Sequence, residues 1–267
     1  MSRIEVLVAT MNLENPNDLY QKMNLKTDAL IINQTNYVSY DSFKIDKSLV
    51  QIYSFNERGL SKSRNNALMR SNGEILIISD DDVVYTDTYQ EDILNEFDLH
   101  PEADAIVFNL NSNLKERAGK KINKFARVGL MESREYGSVH IAFRRNSIIS
   151  RNVYFNTLFG SGSIYNCGED TIFLKDLIIK GLKLYKSPIN IGEVDMSESS
   201  WFSGYNEKYF FNKGALITCM YPNYKYLLFF IQALRNSIKN FGNFRNFFRL
   251  FSFYLKGSKD YTNKYRE

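Results

Sequence analysis

The 267-residue sequence is poor in cysteine (two), histidine (two), proline (four) and tryptophan (one). Two cysteines, Cys167 and Cys219, give no disulfide framework and no metal-ligand spacing, so a reducing compartment is the simplest reading. His100 precedes Pro101 in a turn and His140 alternates within a strand-like run, so both are read as structural. No apolar run approaches the roughly 18–20 residues that a membrane-spanning helix needs. The residues from Met1 to Glu5 lead almost directly into a strand-like segment, which reads as lacking a signal peptide and points to the cytoplasm. Internal repeats and low-complexity tracts are missing too. A hydrophobic fraction of 44% with 24% charged residues excludes wholesale disorder.

What is plentiful is aromatic, with 20 Phe and 18 Tyr unevenly placed. Residues 222–267 hold nine Lys or Arg against two acids, a segment charge of +7; the whole chain is +4, so residues 1–221 carry about −3. The composition changes at Tyr221-Pro222, which predicts an α/β domain over 1–221 and a basic, aromatic, amphipathic helical tail over 222–267. From Tyr226 to Leu255 aromatic clusters alternate with Arg and Lys at helical spacing, broken near Gly242. Such a tail is either a packed helix pair or an element lying on an anionic membrane surface. A nucleic-acid site also interleaves rings and cations, but the acidic remainder of the chain argues against it.

Short apolar runs at Ile4–Ala9, Ala29–Ile32, Val50–Tyr53 and Glu74–Ile78 read as strands, and their continuous apolar character predicts a sheet covered on both faces. Further strands are expected at Ala105–Phe108 and Val139–Phe143. Between the third and fourth runs, Leu60–Ser71 reads as a helix with Ser61 as its N-cap. Thr88-Tyr89-Gln90-Glu91 reads as a capping box opening another. Residues 111–135, rich in Asn, Lys and Arg, are expected to form a long mobile loop. The βαβα order means an α/β fold wound in the nucleotide-binding manner, in which ligands gather at the carboxyl ends of the strands. That rim receives Thr10 and Asn12, then Asn33 and Gln34, then Asp80-Asp81-Asp82.

Three adjacent carboxylates repel one another and call for a cation. A divalent Mg²⁺ or Mn²⁺ held by one or two carboxylates and by phosphate oxygens would meet that need; a solvated loop capping the next helix is the bland alternative. In an extended segment Asp80 and Asp82 share a face and Asp81 points away, unless the chain turns. Upstream runs Arg58-Gly59-Leu60-Ser61-Lys62-Ser63-Arg64-Asn65-Asn66-Ala67, followed by Asn72-Gly73-Glu74 and the apolar strand.

This ordered set resembles the inverting family-2 glycosyltransferases of the GT-A fold, a mostly parallel sheet flanked by helices. Their pattern is a G-x-x-x-A-R-N helix, a G-E before the strand and a D-x-D after it. Ser63 stands where the pattern has Ala, while Arg64, Asn65, Gly73, Glu74, Asp80 and Asp82 match in register over roughly residues 1–200. The resemblance implies a UDP-sugar donor, with Asp80 contacting ribose or metal and Asp82 coordinating a metal that bridges the diphosphate. It places Thr10 and Arg64 near the uracil and phosphates. The nucleotide-sugar candidates are thus Thr10, Asn12, Asn33, Arg58, Arg64, Asp80 and Asp81, and the metal candidates are Asp80, Asp82 and, further along, Asp195. Family members often carry an Asp pair after the second strand; Asn33-Gln34 occupies that place here.

Phe159-Gly160-Ser161-Gly162-Ser163 leads to Asn166-Cys167-Gly168-Glu169-Asp170 and a helix over Thr171–Lys180. An Asp there can be a simple N-cap. In the resembled family a glycine-rich approach and Glu-Asp mark the acceptor site, which makes Asp170 the general base and Glu169 a holder of the acceptor sugar. By the same resemblance the chain is a bacterial surface-polysaccharide enzyme of O-antigen or capsule type. It would move a hexose, galactose or glucose, onto a lipid-linked oligosaccharide carried on undecaprenyl diphosphate at the inner face of the plasma membrane. Glu198 is a further acid near Asp195, and Trp201 either stacks on a sugar or packs in the core. The competing readings are a sugar-nucleotide nucleotidyltransferase, a dehalogenase-type phosphatase and an inactive carbohydrate-binding module on the same fold.

Overall fold

The computed structural model describes residues 3–112, 121–194 and 204–265. The chain divides into two compact units, Met1–Thr157 with Glu169–Glu198, and Leu158–Gly168 with Ser199–Glu267.

The first unit is a mixed sheet. Its strands are β1 (Ile4–Met11), β2 (Asp28–Gln34), β3 (Ser39–Ile45), β4 (Ser48–Phe55), β5 (Ile75–Asp80), β6 (Val83–Tyr85), β7 (Ala105–Ser112), β8 (Ala126–Arg127), β9 (Ile141–Arg144) and β10 (Leu184–Val194). They lie in the order β3-β4-β2-β1-β5-β9-β7-β10-β6, with β8 on β10. The four runs read as strands are the parallel centre β4-β2-β1-β5. Ile4, Val6 and Val8 enter one apolar cluster with Tyr89, Ile93 and Phe97; Leu7 enters the other, with Ala67, Leu68, Phe173 and Leu177. Both faces are therefore covered, and only strands apolar on both sides satisfy them.

The helices of this unit are α1 (Pro16–Lys22), α2 (Leu60–Arg70), α3 (Tyr89–Leu99), α4 (Arg145–Ser150) and α5 (Glu169–Ile179). Two predicted caps are corrected. Gly59 precedes α2 and Ser61 lies wholly buried inside its first turn. Thr88 precedes α3, but its hydroxyl donates to Asp92 Oδ2 at 2.7 Å, so no capping box forms. His140 lies in a short 3-10 helix, Ser138–His140, just ahead of β9 rather than in the strand. The described part of the expected loop is ordered: the Val128 amide donates to the Leu184 carbonyl at 2.8 Å and the Ile122 amide to Asn109 Oδ1 at 2.9 Å. Apolar Ile122 and Val128 are buried there, which a charge count over 111–135 conceals.

The second unit holds α6 (Glu207–Met220), α7 (Lys225–Phe241) and α8 (Phe247–Tyr265). Phe210, Phe229, Phe247, Leu250, Phe253 and Tyr254 form its core. The segment 158–168 belongs here because the Tyr165 hydroxyl donates to Asp260 Oδ2 at 2.8 Å and Phe159 packs on Tyr261. The composition change at Tyr221-Pro222 falls inside this unit, between α6 and α7. Helices α6 and α8 cross at glycines: a Cβ on Gly257 would lie 1.9 Å from the Phe211 carbonyl oxygen. Gly257→Ala must therefore push two helix backbones apart, at a cost of at least about 1–3 kcal/mol. Gly129→Ala, where nothing lies within 4 Å, should stay within about 0.5 kcal/mol. Urea unfolding of the two variants checks this; equal midpoints would remove the close crossing.

Candidate active site

The site lies at the carboxyl rim of the first unit. In the parallel β1–β5 pair Ala9 stands opposite Asp80, so Thr10 and the acidic cluster emerge side by side. Strand β5 ends at Asp80 and the chain turns at Asp81-Asp82, so the alternation of an extended segment stops there. Asp81 Oδ2 accepts the Thr10 hydroxyl. Asp82 has one carboxylate oxygen, Oδ1, buried with no hydrogen-bond partner. Burial first, and then the charges of Asp80 and Asp81, push Asp82 up to about 6. The turn thus holds an under-compensated carboxylate close to neutral pH.

Compensation comes from α2. Arg64 is 2% exposed, and its Nη2 donates to Asp80 Oδ1 at 3.0 Å. Its Nη1 donates to Asp170 Oδ1 at 2.8 Å and lies 3.8 Å from Glu169 Oε1. Burial alone would lower the guanidinium's pKa; Asp80, Asp170 and Glu169 together hold it above its ordinary value. Burial, and then the adjacent Asp170 charge, raise Glu169 well above the usual carboxylate range. The two acidic motifs, ninety residues apart in sequence, therefore meet on one cation. Asp80 and Asp170 keep side-chain exposures of 35% and 29%, so both still open to a ligand, whereas Arg64 does not.

The rest of the α2 motif supports this geometry. Asn65 clamps Phe155, donating from Nδ2 to its carbonyl and accepting its amide at Oδ1, both at 2.8 Å. The clamped ring lies under the Arg64 guanidinium, 5.3 Å from centroid to Cζ, and stacks on Phe173. Ser63 is wholly buried with an unpartnered hydroxyl, a physical reason for Ala at this place. Gly73 is fixed by close approach: a Cβ there would lie 2.7 Å from Glu5 Cβ, and Glu5 Oε2 accepts the amides of Asn72 and Gly73. Glu74, by contrast, is an exposed partner of Arg3.

The other candidates are placed unevenly. Asn12 is exposed just past β1. Asn33 is buried, its Oδ1 accepting the Leu13 amide and its Nδ2 donating to Ser54, so its side chain braces the rim. Arg58 is exposed and donates to the Thr35 and Glu57 carbonyls. Asp195, Glu198 and Trp201 lie outside the described residues. Sequence reasoning missed Ser138, whose hydroxyl donates to Asp170 Oδ1 at 2.6 Å. It stands in no motif, and no local pattern announces the contact.

Among the described residues no three His, Cys, Asp or Glu side chains form a group able to hold a metal ion by themselves. The chemistry offered is instead an acidic turn with a spare buried oxygen beside an open, oriented carboxylate.

Comparison with known proteins bears on the fold. Residues 38–164, just under half of the chain, match the family model for glycosyl transferase family 2. No curated protein sequence matches the chain. Among solved structures, Staphylococcus aureus TarS 1–349 in complex with UDP-GlcNAc superposes with a TM-score of 0.62 at 16% identity, over 88% of this chain and 72% of that one. Its complex with UDP gives 0.59 at 15% identity, over 90% and 73%. TarS 1–349 alone gives 0.61 at 14% identity, over 98% and 91%. At such identities the likeness gives the fold, which is GT-A.

The Arg64 arrangement predicts its own fragility. Arg64→Met leaves buried carboxylates without their cation, at a cost of about 3–5 kcal/mol near neutral pH. Loss of the cation raises the folded-state pKa of Asp80 and Glu169 further above the unfolded value. A carboxylate raised on folding destabilises at high pH, and that penalty fades as pH falls through its folded pKa. The deficit relative to the parent should therefore shrink between about pH 7 and pH 5 in urea unfolding. An equal deficit at both would show that Arg64 acts by packing alone.

Proposed function

We propose that this chain is an inverting glycosyltransferase that moves a hexose, galactose or glucose, from a UDP-sugar to a hydroxyl of a lipid-linked sugar acceptor. The observation that carries this reading is the convergence of the Asp80–Asp82 turn and the Glu169-Asp170 helix start on the buried Arg64. The neighbours crystallised with UDP-GlcNAc and UDP support the donor class. The undecaprenyl diphosphate carrier and the place in O-antigen or capsule assembly follow from the family resemblance, as does the inner membrane face.

The donor side fits Mn²⁺ or Mg²⁺. Asp82 has an unpartnered buried oxygen, Asp80 has an open edge, and ions of this class need few protein carboxylates beside phosphate. Asp80 and Asp82 would hold the ion, with Asp195 as a further candidate; when bound, it stabilises charge on the departing diphosphate. Thr10 orients Asp81 at the nucleotide edge. On the acceptor side both hydrogen bonds to Asp170 fall on Oδ1, so Oδ2 is the oxygen presented for the proton. A sugar hydroxyl is a poor nucleophile, and Asp170 takes its proton as attack proceeds from the face opposite UDP. Glu169, largely buried and raised, lines the same edge.

Two substitutions separate the sides. Asp170→Asn should slow transfer by about two to four orders of magnitude with UDP-sugar affinity unchanged. Asp82→Asn should remove most turnover and the response to added Mn²⁺. Steady-state kinetics and calorimetric UDP-sugar titration decide; full Asp82→Asn activity in excess EDTA ends the metal assignment, and loss in Glu169→Gln with retention in Asp170→Asn reverses the two acidic roles.

The tail supports attachment to an anionic membrane. Helix α7 buries Phe229, Ala233 and Ser237 on one side and exposes Leu227, Phe230, Ile231 and Ile238 on others. Phe244 and Phe248 continue the exposed apolar surface past Gly242, with Lys239, Arg245 and Arg249 among them. No Asp or Glu occurs between Glu207 and Asp260, so nothing acidic in the sequence there opposes anionic headgroups. No helix among the described residues is long and apolar enough to cross a membrane. The protein should co-sediment with anionic vesicles at low salt and release as salt rises. Because Phe229 and Tyr254 are core, substitution is a cleaner test than truncation: Ile238→Ser with Phe248→Ser should weaken binding at an unchanged melting temperature. Undiminished binding would show that this surface is not the contact.

A further inference from the structure

We propose that the Gly137-Ser138 step sets the catalytic geometry of Asp170, Ser138 by fixing one carboxylate oxygen and Gly137 by leaving the other open to the acceptor. The inference rests on the reading of Asp170 as general base. Ser138 is wholly buried at the start of its 3-10 helix, and its Oγ donates to Asp170 Oδ1 at 2.6 Å. Arg64 donates to the same oxygen at 2.8 Å. A single donor would let the carboxylate rotate about its terminal bond, a broad torsion. Two donors arriving from α2 and from the 3-10 helix define the carboxylate plane, and with it the direction of Oδ2.

Gly137 borders that second oxygen. A Cβ at this position would stand 3.5 Å from Asp170 Oδ2 and 3.7 Å from His140 Cδ2. Its φ of −93° suits any residue, so backbone strain does not call for glycine here. What glycine supplies is space over Oδ2. In the transfer step the acceptor O–H bond breaks, its proton passes to Oδ2, and the freed electron pair forms the new bond to the anomeric carbon. The departing UDP keeps the electron pair of the old glycosidic bond. A base held a few tenths of an ångström or some tens of degrees off this line loses rate without losing donor affinity. Ser138 is thus a positioning residue and Gly137 sets which nucleophile can reach Oδ2.

The test compares the parent with Ser138→Ala, Ser138→Cys, Gly137→Ala, Asp170→Asn and the Ser138→Ala/Asp170→Asn pair. UDP-glucose and UDP-galactose serve as donors and a synthetic sugar-diphosphate-lipid as acceptor. Ser138→Ala should lower kcat for transfer about ten- to a hundredfold with donor KM unchanged, and Ser138→Cys, a weak donor of similar size, should fall between. The double variant should be no slower than Asp170→Asn alone, because Ser138 acts through Asp170. Gly137→Ala, which places a methyl beside Oδ2, should lower kcat for transfer to the sugar acceptor with donor KM unchanged, and parent-like transfer by it overturns the role given to Gly137. Melting curves exclude unfolding as the cause. A parent-like Ser138→Ala, or a double variant whose loss is the product of the two single losses, overturns the proposal. A parent that turns over neither UDP-sugar overturns the galactose-or-glucose donor reading of the proposed function, and parent-like Asp170→Asn overturns the base assignment on which the proposal stands.

Discussion

A guanidinium can be buried only where carboxylates balance it, and Arg64 is balanced by Asp80, Asp170 and Glu169. The partners come from two separate reaches of the chain: the end of β5, and the first turn of α5 some ninety residues later. Removing the cation would leave like charges facing one another across a partly buried site. The ion cluster therefore does more than join two motifs. It holds α2, β5 and α5 in one register, and that register is what sets Asp80 beside Asp170. Its own worth as stabilisation is small, because desolvation offsets most of the attraction; its worth is in arrangement.

The support for that arrangement is apolar and aromatic. Phe155 lies under the guanidinium and stacks on Phe173, and Asn65 holds Phe155 by both backbone groups. Arg64 and Asn65 are neighbours in sequence with divided duties, one facing the carboxylates and the other fixing the ring beneath its partner. Asn33 and Gln34 behave likewise at the rim: Asn33 braces the Leu13 amide and Ser54, and Gln34 accepts the Gly59 amide just ahead of α2. Where the resembled family has acids that grip a ligand, this chain uses amides to hold its own loops.

The second unit shows the same economy of charge. Asp260 is the one acid between Glu207 and Glu267, and it is tied to Tyr165 and Lys264. Helices α7 and α8 expose Leu227, Ile238 and Phe248. Packing and display coexist on these helices: Phe229 and Tyr254 stack at 5.6 Å inside the core while Phe248 is 74% exposed.

The sequence by itself determined the parallel centre, because Ile4–Ala9, Ala29–Ile32, Val50–Tyr53 and Ile75–Ile78 are apolar on both faces and only a doubly covered sheet accepts them. It also determined that acids stand at strand and helix ends, since β5 and α5 are bounded by Asp80 and Glu169-Asp170. It did not reveal the mostly exposed edge strand β3 or the ordered turn after residue 120, whose apolar residues are too few for a periodic signal. Nor did it assign the partners of Arg64. A buried ion cluster is chosen by which side chains converge in space, and neither the spacing of residues 64, 80 and 170 nor the isolated Ser138 encodes that convergence locally. Only the tertiary structure decided that Arg64 faces carboxylates, that Asn33 braces a loop, and that Arg64 and Ser138 both donate to the same oxygen of Asp170.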